Sequence, residues 1–264
     1  MNGPIFTNAQ MQKAKRERPE PVRAPREPQR EAPLPRTIPS DREIRLSAAI
    51  MAHPARAGQV EHLIGKLDRE VPVVWDQLQD RWDTGRRSML AADPDCTHHL
   101  VLQDDVLIPH DLLAGLERAL AYIPPEAPLV GYVGRLRPQN DKVKDLVALA
   151  DRKGASWITM RQIHWGPLIV VPTETVVPMI EFCDPLVDIL NYDLRLSRYW
   201  EEWGIRAWYT WPCLADHADG PSLVPGRTGV DRKRPRPSRV AHKFCGEEIS
   251  ALAIDWSGPM IRGL

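Results

Sequence analysis

What this chain lacks narrows it first. Its formal net charge is zero, so bulk electrostatics draws it to neither nucleic acid nor an anionic membrane. Cysteine is sparse: Cys96, Cys183, Cys213 and Cys245 stand far apart with no CxxC spacing. That argues against a zinc cage or a disulfide framework and suits a reducing cytoplasm. No apolar run reaches about 18 residues and no signal-peptide core is present, so the expectation is a cytoplasmic chain with no membrane insertion. Phenylalanine is scarce, three residues against nine tryptophans. Many of those tryptophans lie between Trp157 and Trp211, where they serve as core or as platforms for a ligand ring.

What is present is enough for a sizeable core, since 43% of the 264 residues are hydrophobic. That length fits one α/β domain with tails. Residues 1–43 are rich in proline, arginine and glutamate with little to bury, and read as a disordered tail. The folded domain is expected over 44–225. A basic loop and a C-terminal packing segment follow over 226–264.

Within the domain, Ile44–Met51 and Val71–Trp75 read as strands, and Gln59–Leu67 and Thr84–Ala92 as helices. A third strand is expected at Leu100–Leu102. It is followed by a helix over Asp111–Tyr122, in which Leu112, Leu113, Leu116 and Leu120 share a face. This alternation predicts a mostly parallel, Rossmann-like sheet with helices on both faces. Farther on, strands are expected at Leu129–Val133, Ser156–Thr159, Pro167–Val171 and Ile205–Thr210. Helices are expected at Val143–Asp151, at Thr173–Phe182 with a break or kink at Pro178, and at Asp193–Trp203 with Gly204 as its stop. The segment Glu247–Trp256 is expected to be a short helix or strand that packs back.

The segment with the most chemical content is Leu100-Val-Leu-Gln-Asp-Asp-Val-Leu-Ile108. Asp104 and Asp105 fall at the carboxyl end of a buried strand, where open α/β sheets bind ligands. Two adjacent, partly buried carboxylates repel each other and need a cation nearby. A divalent metal carrying an anionic ligand would supply one. A helix N-cap beside a solvated neighbour is the simpler use of the same pair.

Four segments in order, Ile50-Met-Ala-His-Pro-Ala-Arg56, Val73-Val-Trp-Asp76, Gly85-Arg-Arg87 and Leu102-Gln-Asp-Asp-Val106, resemble the nucleotide-sugar half of a GT-A glycosyltransferase. His164-Trp-Gly166, Asp193 and Asp216-His217 extend the resemblance, which covers roughly residues 44–224. It implies a GT-A-like fold and transfer of a sugar from a nucleotide-sugar donor to a hydroxyl acceptor, dependent on Mn²⁺ or Mg²⁺. Asp104 and Asp105 would match the DxD-type element, here written Gln-Asp-Asp. Asp105 would hold the metal, and Asp104 would contact the ribose or share the ion. His217 resembles the late histidine of the metal site, and Asp76 the acid that reads the nucleobase. His53, Arg56 and Arg87 would line the donor pocket. Asp193 resembles the general base on the acceptor side.

Each residue also has a structural use. Asp193 is placed to cap a helix, His217 a turn, and Arg87 to sit on a solvated helix face. Compact transferases of this style with Arg/Pro-rich tails look similar to those of actinobacteria and their phages, a likeness that implies modified DNA bases, a protein or a glycan as acceptor and, for a viral chain, the host cytoplasm. The basic segment Arg227–Lys243 fits a DNA backbone, a donor-closing loop or plain solvation. Two other functions suit the same acids: a metal-dependent phosphoesterase or nucleotidyltransferase, and a non-catalytic binding module.

Overall fold

A computed structural model describes residues 34–135, 138–218, 223 and 240–263. The expected tail up to residue 33, and the basic segment from Arg227 to Arg239, lie outside the described residues. The compact unit begins at Leu34, earlier than the expected Ile44. Polar anchors tie this stretch down: Thr37 donates its N–H to the Ser257 carbonyl at 3.1 Å, and Ser40 does so to Ala121 at 2.8 Å.

The first half alternates as its pattern predicts. Strand β1 is Leu46–Ala52, helix α1 Ala57–Lys66, β2 Val73–Trp75, α2 Arg81–Leu90 and β3 His98–Gln103. A short 3-10 turn, Pro54–Arg56, joins β1 to α1. β1 pairs in parallel with both β2 and β3. The steps from β1 to β2 and from β2 to β3 therefore run in opposite directions across the sheet. Right-handed crossovers on both put α1 and α2 on opposite faces, which is why β3 is buried from His98 to Leu102. Strand β3 starts two positions before the expected Leu100, so His98 and His99 are interior strand residues.

Beyond β3 come β4 (Val106–Leu107), α3 (Leu112–Leu120), β5 (Leu129–Val130), α4 (Gln139–Lys153), β6 (Trp157–Met160) and β7 (Leu168–Pro172). The remainder is α5 (Val176–Cys183), α6 (Tyr192–Glu202), β8 (Ala207–Thr210), β9 (Asp216–His217) and β10 (Met260–Arg262). One eight-stranded sheet runs β10-β6-β8-β5-β7-β3-β1-β2, and β4 with β9 forms a separate two-stranded ladder.

The fold is α/β with a mixed, mostly parallel sheet. Its antiparallel element is β7, which inserts between β3 and β5 and opposes both; β6 also runs against β8. Strand β7 is apolar along its whole length, Leu168-Ile-Val-Val, and buried on both faces. Such a run carries no sign of strand direction. The helix runs through Pro178 without the expected break. Pro178 sits in the first turn of α5, after a 3-10 turn at Thr173–Thr175, where a missing N–H costs nothing. Gly204, at φ +66°, ends α6 as expected.

The C-terminal segment packs back as a 3-10 turn at Ala251–Ala253, and β10 then pairs in parallel with β6. Trp157, Trp200, Trp211 and Trp256 are among the largest fully buried side chains, which gives the tryptophan excess a core role. All four cysteines are free thiols. Among the described residues, no helix is long and apolar enough to cross a membrane.

Candidate functional site

The site is built where β1 and β3 end. Asp104 and Asp105 follow β3 directly, and both are 4% exposed. The Asp104 N–H reaches the Met51 carbonyl of β1 at 3.1 Å, so the pair is pinned to the central strands. The 3-10 turn after β1 brings in the main partners. Asp104 Oδ2 accepts the His53 backbone N–H at 2.7 Å. One guanidinium then bridges the acids: Arg56 Nη1 meets Asp104 Oδ1 at 2.7 Å, and Nη2 meets Asp105 Oδ2 at 3.0 Å.

In this structure an arginine carried by the loop after β1 supplies the positive charge. Burial still dominates at Asp104, pushing its carboxyl above the usual range. Arg56 pulls the other way and Asp105 adds to the rise.

The other face of Asp105 meets the second half of the chain. His217 Nδ1 lies 3.4 Å from Asp105 Oδ1. The β4–β9 ladder sets this contact by pairing Val106 with His217, and the Ala218 N–H donates to the Asp105 carbonyl at 2.8 Å. Tyr132 packs edge-on against the His217 ring, with centroids 5.1 Å apart.

Beside this cluster is a cavity of about 370 Å³ lined by Ala55, Arg56, Gly58, Gln59, Asp105 and Ala218, together with Leu223. That volume falls in the range of small-ligand sites. Gly58 and Gln59 belong to the first turn of α1, an end of a helix that attracts anions. Among the described residues, the Gln59 side-chain oxygen is buried with no hydrogen-bond partner.

The remaining expected residues divide. Asp76 and His53 are brought together, with His53 Nε2 4.0 Å from Asp76 Oδ2. Asp76 also accepts from the Thr84 hydroxyl at 3.1 Å and from the Leu78 N–H at 3.2 Å. This group lies at the end of β2 and does not line the cavity.

Arg87 is not brought to the cavity either. Its guanidinium binds Asp83 at 2.8 Å and the Trp75 carbonyl at 3.0 Å, tying α2 to β2. In this structure the side chain holds two elements together, the structural use open to a residue on that helix face. Asp193 lies in the first turn of α6, and its Oδ1 accepts the Leu194 N–H at 2.9 Å. The neighbouring Tyr192 hydroxyl bonds the Gly166 carbonyl and the Gln103 side chain. That anchors the start of α6 to the end of β3. Trp165 packs edge-on against Tyr132 and Tyr209. From the basic segment, Lys243 is described: Nζ lies 2.8 Å from Asp151 and 5.6 Å from the Trp211 ring centre.

The expected Mn²⁺ or Mg²⁺ can be tested against the donor atoms. Among the described residues, no group of three or more His, Cys, Asp or Glu side chains is arranged to hold a metal. Asp105, which lines the cavity, offers a hard oxygen, and His217 beside it a ring nitrogen. A hard cation bound through one or two protein ligands, with substrate phosphates and water completing its sphere, fits that set.

The family resemblance implies a ligand-lining role for Arg56, but its bridging of the two acids is not legible in the sequence. Nor is the β4–β9 ladder, whose two-residue strands carry no periodic signal. Comparison with protein-family models finds no match to this chain, and comparison with curated proteins finds none.

Proposed function

We propose that this chain is a metal-dependent glycosyltransferase of GT-A type that transfers a sugar from a nucleotide-sugar donor to a hydroxyl acceptor. One observation carries the reading. Asp105 at the end of β3 and His217 in β9 face each other at 3.4 Å, beside a cavity that the first turn of α1 lines. The arrangement combines a two-ligand cation site, a helix N-terminus and an arginine, which together suit a diphosphate.

Asp105 and His217 would hold Mn²⁺ or Mg²⁺, which when bound neutralises charge on the departing diphosphate. Asp104, held by the His53 N–H, positions the turn that carries Arg56. Arg56 and the N–H groups of α1 bind phosphate oxygens. Asp76, with His53 and Thr84 around it, accepts hydrogen bonds from the nucleoside. Asp193 takes the proton of the acceptor hydroxyl as the sugar–oxygen bond forms. DNA is an acceptor that the basic segment Arg227–Lys243 would suit.

The test is a panel of nucleotide sugars with and without Mn²⁺, read by donor hydrolysis and by thermal shift. Mn²⁺-dependent release of nucleoside diphosphate that is lost in Asp105→Ala supports the reading. Three results would overturn it: phosphate release or nucleic-acid cleavage without a sugar donor, donor binding without turnover, and an Asp105→Ala variant that behaves as wild type. The first result points to a phosphoesterase and the second to a binding module.

A further inference from the structure

Arg56 is the cation of this site in the structure. Its two terminal nitrogens are divided between two carboxylates, one on Asp104 and one on Asp105, and its side chain is 16% exposed. The same residue lines the cavity. It therefore meets a ligand that enters side by side with Asp105.

We propose that Arg56 is a built-in counter-ion that a divalent cation displaces from Asp105, and that the released guanidinium turns to the anion arriving with the metal. The inference rests on the metal reading above and adds the residue that controls loading.

Three features support it. A guanidinium on Oδ2 of Asp105 and a divalent ion on Oδ1, beside His217, would repel each other at close range, so the ion weakens the Arg56 contact. The acids keep other contacts once Arg56 leaves: Asp104 holds the His53 N–H at 2.7 Å and Asp105 faces His217. The acid pair thus stays in place while its cation is exchanged. Finally, Arg56 ends the 3-10 turn that runs into α1. Its backbone is fixed beside the helix N-terminus, and only the side chain needs to swing for a bidentate grip on phosphate.

The consequence is coupling. The metal alone must break the Arg56 bridge without replacing it. The metal with an anion gives the guanidinium a new partner. Metal and anion each strengthen the binding of the other, by the same factor in both directions.

The experiment is Mn²⁺ titration of the full chain by calorimetry and by the electron-spin signal of free Mn²⁺, with and without inorganic pyrophosphate. Wild type is compared with Arg56→Ala and Arg56→Gln; the glutamine keeps an amide near the acids if alanine compromises folding. The expected result is at least tenfold tighter binding of Mn²⁺ alone in both variants, with pyrophosphate strengthening Mn²⁺ binding more in wild type than in either. Asp105→Asn added to Arg56→Gln should cancel the gain. Two results overturn the inference while leaving the metal reading intact. One is equal affinity for Mn²⁺ alone in all three proteins. The other is equal strengthening by pyrophosphate in all three. Absence of Mn²⁺ binding under every condition removes the metal reading itself, and this inference with it.

Discussion

His99 in β3 donates from Nε2 to the Ser88 carbonyl of α2 at 2.8 Å. Its Nδ1 sits 2.9 Å from the Ser47 hydroxyl of β1. One neutral imidazole, donating at one nitrogen and accepting at the other, links a helix and two strands in the interior. Burial holds this ring in the neutral form.

Acid should loosen the fold through these strand histidines. His98 is pushed from 6.5 down to about 4, chiefly by burial and also by Arg42. Below its ordinary value the unfolded chain takes up a proton that the folded ring refuses. Stability is therefore full above about pH 6.5 and falls as pH drops towards 4, by about 3 kcal/mol for this group. Thermal unfolding followed by circular dichroism across that window should show the fall. His98→Gln should flatten it.

Arg87→Ala should act on stability and not on ligand binding. The substitution removes an i,i+4 pair with Asp83 that is partly exposed and the bond to the Trp75 carbonyl. A loss of about 1 kcal/mol is expected by denaturant titration, with nucleotide-sugar affinity within about twofold of wild type. A tenfold loss of affinity at unchanged stability would return Arg87 to the donor pocket.

Gly115→Val should detach the C-terminal segment. A Cβ at Gly115 would lie 2.9 Å from the Ala251 carbonyl carbon, where α3 meets the 3-10 turn. Overpacking of this kind costs about 2 kcal/mol. Hydrogen exchange should rise at the Ala251 N–H, which donates to the His110 carbonyl at 2.8 Å. Gly58→Ala is the control, since a Cβ there meets nothing within 4 Å.

Asp193→Asn should separate chemistry from binding. A lost general base lowers turnover by about 10²–10⁴, while donor and Mn²⁺ affinities stay unchanged. Loss of donor affinity in step with turnover would show that Asp193 serves the fold of α6 instead.

Replacing Arg232, Lys233 and Arg234 with glutamine tests the DNA acceptor. If the segment binds phosphates, the slope of log affinity against log salt should shrink by about 0.9 for each phosphate no longer neutralised. An unchanged slope would exclude DNA as the acceptor held by this segment.

Much of the scaffold is legible in the sequence. Alternating apolar strands and amphipathic helices mark β1 to β3, and α3 after them, to within a few residues, because those periods reflect local geometry and burial. Leu112, Leu113, Leu116 and Leu120 announce α3 and are fully buried. Strand β7 is legible as a strand but not as antiparallel, since an all-apolar run looks the same in either direction. The run Leu129–Val133 overstates its strand: pairing stops at Val130, and burial continues without a ladder to Val133. The acid pair can be placed at a strand end because β3 has to be interior. The partners of that pair cannot be read, because they depend on which loops the sheet order brings together.

By itself, then, the sequence determined the elements and the place of Asp104 and Asp105 at the end of a buried strand. Hydrophobic period and strand length are local properties, and the chain writes them directly. Only the tertiary structure decided that Arg56 bridges both acids, that His217 faces Asp105, and that Arg87 is spent on Asp83 and Trp75. The first two contacts join segments far apart in the chain. Their geometry follows from strand register and from the parallel order β2-β1-β3, and one position of slip would turn every side chain on a strand to the opposite face.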